Sequence, residues 1–293
     1  MHSVLSAWAR CGQVNIKTPQ HRGNRASLLA FDYTLGAHAR KLSESVFKGA
    51  ICADDIVDFH SHVPMYASFL TALQAFGWRD RLTGGAPGRD TIAMGIRRMG
   101  VVEAETLRKC PTCVREDQVR FGCGHWRLFH QWPAARRCAI HGDELVTHCA
   151  RCKTPAVRGN EPSLADDPCL NCGCDEWAAE HRDSTTGHWP LMQLMYRALK
   201  GQAPELSALV RAHPLLRAPS STWGDFGAGK ADRSHLQHLF TAWHVESPAH
   251  LGSVLGMNWN WSADSSSAPS IATSPFMFQA AVLAAEPARQ CAS

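Results

Sequence analysis

The sequence lacks several features that would place it in a common class of protein. No apolar run approaches the ~18 residues of a membrane-spanning helix, so no such helix is predicted. The net charge is only +4, which does not by itself indicate a nucleic-acid binder. The segment from Met1 to Arg10 has no basic start and only a short apolar stretch. No export signal is therefore predicted, and a cytoplasmic location is expected.

Signatures of catalysis are also scarce. The glycine-rich stretch from Thr83 to Gly88 lacks the Lys-Ser or Lys-Thr pair of a phosphate-binding loop, so we interpret it as a connector. The nearest approach to a carboxylate cluster is Asp54, Asp55 and Asp58, whose positions are better explained as the acidic start of a helix. The chain is therefore expected not to be an enzyme.

Cysteine, in contrast, is abundant, with 12 in 293 residues. Eight ligand-type side chains form four steps in which two ligands stand three positions apart: Cys110 and Cys113, Cys138 and His141, Cys149 and Cys152, Cys169 and Cys172. A tight turn at that spacing points both side chains at one ion. Tetrahedral zinc takes four such ligands, so the four steps, here called knuckles, predict two zinc sites.

Sequential pairing is the simplest interpretation of the knuckles: it joins the first knuckle to the second and the third to the fourth. A cross-braced arrangement, which joins the first to the third and the second to the fourth, uses the same ligands and is the less favoured alternative that the sequence leaves open. Gly142 and Gly173 follow the second ligands of two knuckles, and glycine tolerates the positive φ that such turns need. Cys174, His125 and His148 lie close enough along the chain to compete as ligands.

Both predicted zinc ions have structural rather than catalytic character. Four protein ligands leave no coordination position for water. In small fingers a structural zinc contributes roughly 10–16 kcal/mol of apparent binding free energy, which is folding free energy. A disulfide framework is the alternative, but cysteine usage at this level in a cytosolic chain favours metal.

Charge is distributed unevenly around the knuckles. From Arg89 to Cys138 there are ten Lys and Arg against five Asp and Glu, and from Gly142 to Glu176 there are three against seven. The first half is therefore the basic one. Since guanidinium groups pair well with phosphate, the candidate DNA contacts are Arg115, Arg120, Arg127, Arg136 and Arg137. A solvated surface is the alternative explanation for the same charges.

Aromatic and histidine side chains near the first two knuckles are assigned to packing. Trp126 and Trp132 are predicted to fill the small core of the finger rather than to stack on bases. His130 is predicted to be a buried, hydrogen-bonded histidine rather than a ligand.

The flanking segments have helical periodicity. Pro64 to Phe76 predicts one helix, with an apolar stripe of Tyr66, Phe69, Leu70, Leu73 and Phe76. An earlier short helix would be capped by Asp54 or Asp55 and would carry Ile56, Val57 and Phe59. A later helix is predicted from Pro190 to Leu199, ending near Gly201. The stretch from Ser234 to Gly256 has helix-turn-helix proportions, although an ordinary helical hairpin is favoured because its second helix has no Lys or Arg.

The predicted fold is mainly α with small zinc-stabilised β elements. Residues 1–105 are predicted to form a helical N-terminal region, and 106–176 the tandem zinc fingers. Residues 177–260 form a helical C-terminal region, and 261–293 a tail expected to be disordered because it is rich in Ser and Ala.

Several short motifs occur in a defined order: HVPMYASFL at 62–70, CPTC at 110–113, HWR at 125–127, HQWP at 130–133 and CAIHG at 138–142. This order resembles the TniQ/TnsD family, with its His-Thr-x-x-Pro-Tyr-Tyr-x-x-Phe-Leu, Cys-Pro-x-Cys, Tyr-Trp-His-Arg, His-Gln-Leu-Pro-Gly and Cys-Pro-x-His-Gly series. The resemblance runs from about Ser3 to Cys172. Trp132 and Ala134 stand where the family usually has Leu and Gly.

The resemblance implies a role in transposition. Proteins of this family select the target site for cut-and-paste elements and recruit an AAA+ ATPase, without cutting DNA themselves. It further implies a helix-turn-helix-bearing N-terminal part followed by two zinc fingers. Target DNA would be recognised directly or through an RNA-guided complex, and homodimerisation is left open. The alternative function is a stand-alone zinc-ribbon module that binds DNA or regulates transcription without an ATPase partner.

Overall fold

A computed structural model describes residues 39–84, 106–132, 134–156, 163–179, 188–202 and 250. These residues are mainly helical and include one two-stranded sheet, which confirms the predicted mainly α class with small β elements. Within this part of the chain, no helix combines the length and apolarity that crossing a lipid bilayer requires. The predicted helix-turn-helix pair, apart from His250, and the Ser- and Ala-rich tail lie outside the described residues.

The described residues fall into two compact units. The first holds residues 39–63, 79–84 and those between 106 and 179, and the second holds 64–78 and 188–202. All eight Cys and His residues of the knuckles therefore belong to the first unit, together with the helices that precede residue 64.

The first unit begins with the helical segments Ala39–Lys41 and Leu42–Val46, followed by helix α1, Ala53–His60. Cys52 caps α1, because its Sγ accepts the backbone N–H of Asp55 at 3.3 Å. Asp54 and Asp55, which the sequence predicts as caps, lie instead in the first turn, where negative charge stabilises the positive end of the helix dipole. Ile56 and Val57 are buried, as the periodicity predicts.

The segment that follows corrects the prediction of one helix from Pro64 to Phe76. The chain forms two helices there, α2 (Val63–Ala67) and α3 (Ala72–Gly84). Three residues of the predicted apolar stripe are nevertheless buried: Tyr66, Phe69 and Leu70.

The break between these helices has a local cause. Oγ1 of Thr71 accepts the N–H of Gln74 at 3.3 Å, and Oε1 of Gln74 accepts the N–H of Thr71 at 3.0 Å. This reciprocal cap starts a new helix, which continues past Gly77. The new helix carries Leu73 and Phe76 on its outer side, where they are 81% and 69% exposed.

The cysteine- and histidine-rich segment packs around a small core. Helix α4 (Pro111–Phe121) begins after Cys110 and ends at Gly122, whose φ of 79° makes a left-handed C-cap. Strands β1 (Val146–Cys149) and β2 (Trp177–Ala179) pair antiparallel. The core consists of Leu107, Val114, Trp126, Ala156 and Ala165, with Trp177 packed against it.

A buried histidine ties the N-terminal helices to this segment within the first unit. His62 is 1% exposed, and its Nε2 donates to the carbonyl oxygen of Leu128 at 2.9 Å. The contact joins residues 66 positions apart, so the knuckles do not stand alone in the first unit.

Helix α5 (His188–Leu199) belongs to the second unit and confirms the helix predicted from Pro190. Leu191 and Met195 are fully buried, in keeping with the predicted apolar face. Gly201 has a φ of 66° and follows the helix end, as the sequence predicts.

Candidate metal centres

The side chains of the first two knuckles converge on one point. Sγ of Cys113 lies 3.5 Å from Sγ of Cys138. Nδ1 of His141 lies 3.5, 3.3 and 3.6 Å from the sulfurs of Cys110, Cys113 and Cys138. We call these four residues the first quartet; its three cysteines are buried.

The last two knuckles form a second quartet. Sγ of Cys149 lies 3.5 Å from Sγ of Cys172, and Sγ of Cys152 lies 3.5 Å from Sγ of Cys169. In each quartet the four ligand atoms all lie within 4.8 Å of one another. Across the part of the chain that the structure describes, these are the two groups that could hold a metal ion. They are the sets of sequential pairing, not of the cross-braced arrangement.

The donor sets and their spacings fit tetrahedral zinc. With Zn–S bonds of about 2.3 Å and Zn–N bonds of about 2.0–2.1 Å, a tetrahedron has S···S edges of ~3.8 Å and S···N edges of ~3.6 Å. The observed S···S distances of 3.5 Å and S···N distances of 3.3–3.6 Å lie close to both values. Thiolate and imidazole are also ligands that suit zinc.

The close approach of the thiols in the first quartet shifts their pKa values in opposite directions. Hydrogen bonds to Cys110 and Cys138, together with burial, raise the pKa of the Cys113 thiol. Hydrogen bonds from Cys110 and Cys113 lower the pKa of Cys138. Without a cation, one thiolate is thus supported by neighbouring protonated thiols. A divalent cation removes the conflict, because it binds every cysteine as thiolate and releases the protons.

Three knuckles share one backbone turn. In each, the residue after the second ligand donates its N–H to the carbonyl of the first ligand: Gly142 to Cys138 at 2.8 Å, Lys153 to Cys149 at 3.0 Å, and Gly173 to Cys169 at 2.7 Å. The donors have φ of 75°, 59° and 67°. The predicted positive φ at Gly142 and Gly173 is confirmed, and Lys153 adopts the same conformation without being glycine.

Cys174 takes part in the fourth knuckle through its backbone. In the same three knuckles the first ligand donates its N–H to a carbonyl five residues later: Cys138 to Asp143 at 2.8 Å, Cys149 to Thr154 at 2.9 Å, and Cys169 to Cys174 at 2.9 Å. Cys174 therefore occupies the closing position of the turn, which Asp143 and Thr154 occupy elsewhere. It is not a member of the second quartet.

The first knuckle differs because it opens a helix. Cys110 is the N-cap of α4, and its Sγ accepts the N–H of Cys113 at 3.4 Å, with Pro111 in the first turn. This places the sulfur of Cys110 at the positive end of the helix dipole, which favours the thiolate. The spacing of Cys110 and Cys113 predicted a ligand pair here but not the helix that follows.

Carboxylates surround the first quartet. Nε2 of His141 lies 2.9 Å from Oε1 of Glu116 and donates to it, which leaves Nδ1 directed at the three sulfurs. Oδ2 of Asp143 accepts the hydroxyl of Thr112 at 2.7 Å and lies 3.4 Å from Sγ of Cys110. Such partners hold ligand side chains in orientation, and Glu116 selects the tautomer of His141 that binds a metal through Nδ1.

The other histidines near the knuckles stay outside the quartets. His130 is 3% exposed, which confirms that it is buried; its Nε2 lies 3.9 Å from Sγ of Cys113, whereas its Nδ1 has no hydrogen-bond partner among the described residues. Nδ1 of His148 lies 3.2 Å from the hydroxyl of Thr147 in strand β1. Trp126 and Trp132 are both buried, so their predicted packing role is confirmed.

Two basic residues that counted as surface charge in the sequence are in fact buried. Arg108 donates to the carbonyls of Trp132 at 2.9 Å and Ala135 at 2.8 Å. Nζ of Lys109 donates to the carbonyl of Ala165 at 2.6 Å and lies 4.0 Å from the centre of the Trp177 ring. Burial lowers the pKa of Lys109 to about 8, although nearby aspartates oppose the shift.

The predicted phosphate-binding arginines differ in how far other groups already hold them. Arg127 lies 2.8 Å from Asp117 and 3.5 Å from Glu116, so two carboxylates compensate its charge. Arg137 lies 3.6 Å from Glu144. These two arginines have less charge available for a partner than their position in the sequence indicates.

The remaining arginines are arranged differently. Arg115 is exposed on helix α4 and donates to the hydroxyl of Thr112 at 3.0 Å. Arg120 is exposed on the same helix, 5.0 Å from the centre of the Phe121 ring. Arg136 is half-buried. Arg115 and Arg120 are therefore the best placed of the five to meet a phosphate.

Comparison with known proteins found no match: no family model, no curated protein and no solved structure matches this chain. The functional interpretation rests on the order of the motifs and on the contacts that their residues make.

Proposed function

We propose that this protein is a target-site selection adaptor in cut-and-paste DNA transposition. It would link target DNA, or a DNA-bound targeting complex, to an AAA+ transposition ATPase. The observation that carries the proposal is that residues of the TniQ/TnsD-like motifs contact one another, or segments outside the motifs, across long stretches of chain. They behave as parts of one module rather than as independent short matches.

The contacts of the motif residues are specific and mostly buried. In the first quartet the second motif meets the fifth, through Cys110, Cys113, Cys138 and His141. His62 of the first motif donates to the carbonyl of Leu128, between the third and fourth motifs. Gln131 of the fourth motif holds the backbone of Arg108, accepting its N–H at 3.0 Å and donating to its carbonyl at 2.7 Å. Nε1 of Trp126 in the third motif donates to the carbonyl of Ser163 at 2.9 Å. These contacts support the interpretation of the motif residues as parts of one module.

In this proposal the metal in each quartet is zinc, with two ions per chain. The chemistry that zinc supplies here is tetrahedral cross-linking of chain segments with little apolar core. Cys110, Cys113, Cys138 and His141 would hold the first ion, and Cys149, Cys152, Cys169 and Cys172 the second. Neither quartet offers a position for a substrate, in keeping with an adaptor.

The proposed DNA-contacting surface is the outer face of helix α4. Arg115 and Arg120 are exposed there, and guanidinium groups bind phosphate through two parallel hydrogen bonds. Contacts of this kind place a protein on DNA without reading its sequence. Selection of a particular target would then come from the partner complex or from residues elsewhere in the chain.

The deciding experiment is a pull-down of the full chain with the AAA+ ATPase of the same element, ATP and DNA, with zinc counted on the same sample. ATPase capture at two zinc ions per chain supports the adaptor. Two zinc ions and DNA binding without ATPase capture would favour the stand-alone DNA-binding or transcription-regulatory module instead.

A matched pair of variants tests the DNA surface. Replacing Arg115 and Arg120 together with Glu should weaken DNA binding and reduce the slope of log K against log salt by about 2, roughly one per phosphate contact. Replacing Arg81 and Arg151 together with Glu makes the same change in net charge at exposed arginines outside helix α4 and should leave the slope unchanged. Equal effects from both changes would remove the assigned role of α4.

A further inference from the structure

Outside the two quartets, a cysteine, a histidine and an aspartate lie next to one another near the C-terminal end of helix α4. Nε2 of His125 lies 3.9 Å from Sγ of Cys123, and Nδ1 of the same ring lies 3.7 Å from Oδ2 of Asp117. The backbone N–H of His125 donates to that carboxylate oxygen at 3.3 Å. The imidazole therefore has the thiol on one side and the carboxylate on the other.

The three groups also have the right exposure for chemistry. The side chain of Asp117 is only 5% exposed, so it acts as a fixed, buried anchor. The side chain of His125 is 34% exposed, and Cys123 is half-buried. A Cβ at Gly122 would meet no heavy atom within 4 Å, whereas a Cβ at Gly124 would meet Val114 at 2.9 Å and Asp166 at 3.0 Å. The approach to the half-buried sulfur is therefore from the side of Gly122.

Packing fixes the orientation of the base. The ring of Phe121 meets the ring of His125 edge-on, at 5.4 Å between centroids and 89° between planes. In the neutral tautomer with its proton on Nδ1, the ring of His125 faces Asp117 at 3.7 Å, a contact distance rather than a hydrogen bond, and presents the lone pair of Nε2 to Cys123 at 3.9 Å. A nucleophile beside a base that a third group orients is the arrangement that activates side chains in covalent chemistry.

We propose that Cys123 is a nucleophilic thiol, activated by His125 and Asp117, that takes small soft carbon electrophiles. The site is separate from both quartets and does not depend on the adaptor function. The thiolate is the reactive form of cysteine, and transfer of the thiol proton to His125 supplies it.

A neighbouring arginine limits the size of the effect. Arg127 lies 2.8 Å from Oδ1 of Asp117 and compensates part of the charge that would stabilise protonated His125. Asp117 and Arg127 face His125, and Asp166 packs beside Gly124, which lies between the thiol and the imidazole in the sequence. We therefore expect an activation of about tenfold in the alkylation rate at neutral pH.

Iodoacetamide is the probe for this site. The thiol proton passes to Nε2 of His125, the Cys123 sulfur attacks the methylene carbon, and an S–C bond forms as the C–I bond breaks. Iodide leaves with the bonding electron pair, so no oxidant or reductant is needed.

The test compares alkylation rates within one reaction. The full chain, purified with zinc, is treated with iodoacetamide, and each cysteine is followed by peptide mass spectrometry. An unstructured peptide that carries one cysteine, added to the same reaction, is the reference, because Cys52 caps helix α1 and its thiolate is favoured by the helix dipole. We expect Cys123 to react about tenfold faster than the reference peptide near pH 7, and His125→Gln to abolish the excess.

Two results would overturn the proposal. One is a Cys123 rate no higher than that of the reference peptide; the other is an unchanged Cys123 rate in a folded His125→Gln variant with two zinc ions. If that variant fails to fold, the pH profile of the unmodified chain decides. A midpoint for Cys123 alkylation below the ordinary thiol pKa of about 8.5 supports activation, and a midpoint at or above it refutes activation.

Discussion

Two cysteines two positions apart in the fourth knuckle make a sharp test of the second metal centre. Sγ of Cys172 lies 3.5 Å from Sγ of Cys149, within the second quartet. Cys174 is buried beside them, but its backbone carbonyl closes the turn by accepting the N–H of Cys169. Its Sγ lies 3.9 Å from the carbonyl oxygen of Glu176. We predict that Cys172→Ala loses one zinc ion per chain and that Cys174→Ala retains both.

The expected energies differ widely. Around the second quartet the buried apolar cluster consists of cysteines themselves, Cys149, Cys169 and Cys174, with Trp177 partly buried against them. Little else replaces the metal there. A structural zinc site supplies about 10–16 kcal/mol of apparent binding free energy, against a total stability of about 5–15 kcal/mol for a typical domain. Losing even half of the binding free energy of one zinc ion should unfold this segment. Cys174→Ala, in contrast, should lower the free energy of unfolding by about 1 kcal/mol.

The assay is zinc stoichiometry by mass spectrometry of the metal, combined with hydrogen exchange of the backbone amides from 149 to 179. Cys172→Ala should give one zinc ion and fast exchange in this segment, with the first quartet retaining protection. Cys174→Ala should match the unmodified chain in both measurements. The reverse pattern, with zinc lost in Cys174→Ala and retained in Cys172→Ala, would refute the ligand set and the knuckle geometry together.

Three further predictions concern the turns, the carboxylates and acid stability. Lys153→Gly should raise the free energy of unfolding of the zinc-bound protein by about 1 kcal/mol, because glycine adopts a positive φ without strain. Gly173→Ala should lower it by a similar amount in thermal unfolding, and changes of the opposite sign would contradict the shared turn. Glu116→Gln should weaken zinc binding at the first quartet about 10–100-fold through His141, measured by chelator competition, with unchanged affinity at the second quartet as the control. Burial lowers the pKa of His60 to about 4, so its neutral form is favoured in the folded state. The contribution of neutral His60 to the free energy of unfolding is therefore fully present above about pH 6.5. It declines towards pH 4 by at most about 3 kcal/mol. His60→Gln should flatten the loss of hydrogen-exchange protection in helix α1 as the pH falls. An identical pH profile in the variant and the unmodified chain would exclude this role of His60.

Local signals in the sequence predicted much of the fold. The periodicity from Pro190 predicted a helix whose buried positions are confirmed, and the glycines after two knuckles predicted left-handed turns that the structure contains. The break at Thr71 was equally local, since Thr-x-x-Gln is the signature of a reciprocal cap. An apolar stripe that ran through the cap gave the wrong expectation of one helix.

Long-range contacts were out of reach of the sequence. The count of basic residues before Cys138 included Arg108 and Lys109, yet both are buried against carbonyls contributed by distant segments. Arg127 was predicted as a phosphate contact, yet two acidic side chains of helix α4 already hold it. Charge counting treats every cation as exposed, and only the fold shows which ones already have partners.

The sequence by itself determined which side chains stand in ligand pairs, because a spacing of three residues brings two ligands together through a single turn. It also determined the mainly helical class, which depends on short-range periodicity. The tertiary structure alone decided that the first knuckle meets the second and the third meets the fourth. It also decided that Cys174 closes a turn and that His125 lies between Cys123 and Asp117. These outcomes depend on where separate segments pack against one another, and chain spacing carries no record of that packing.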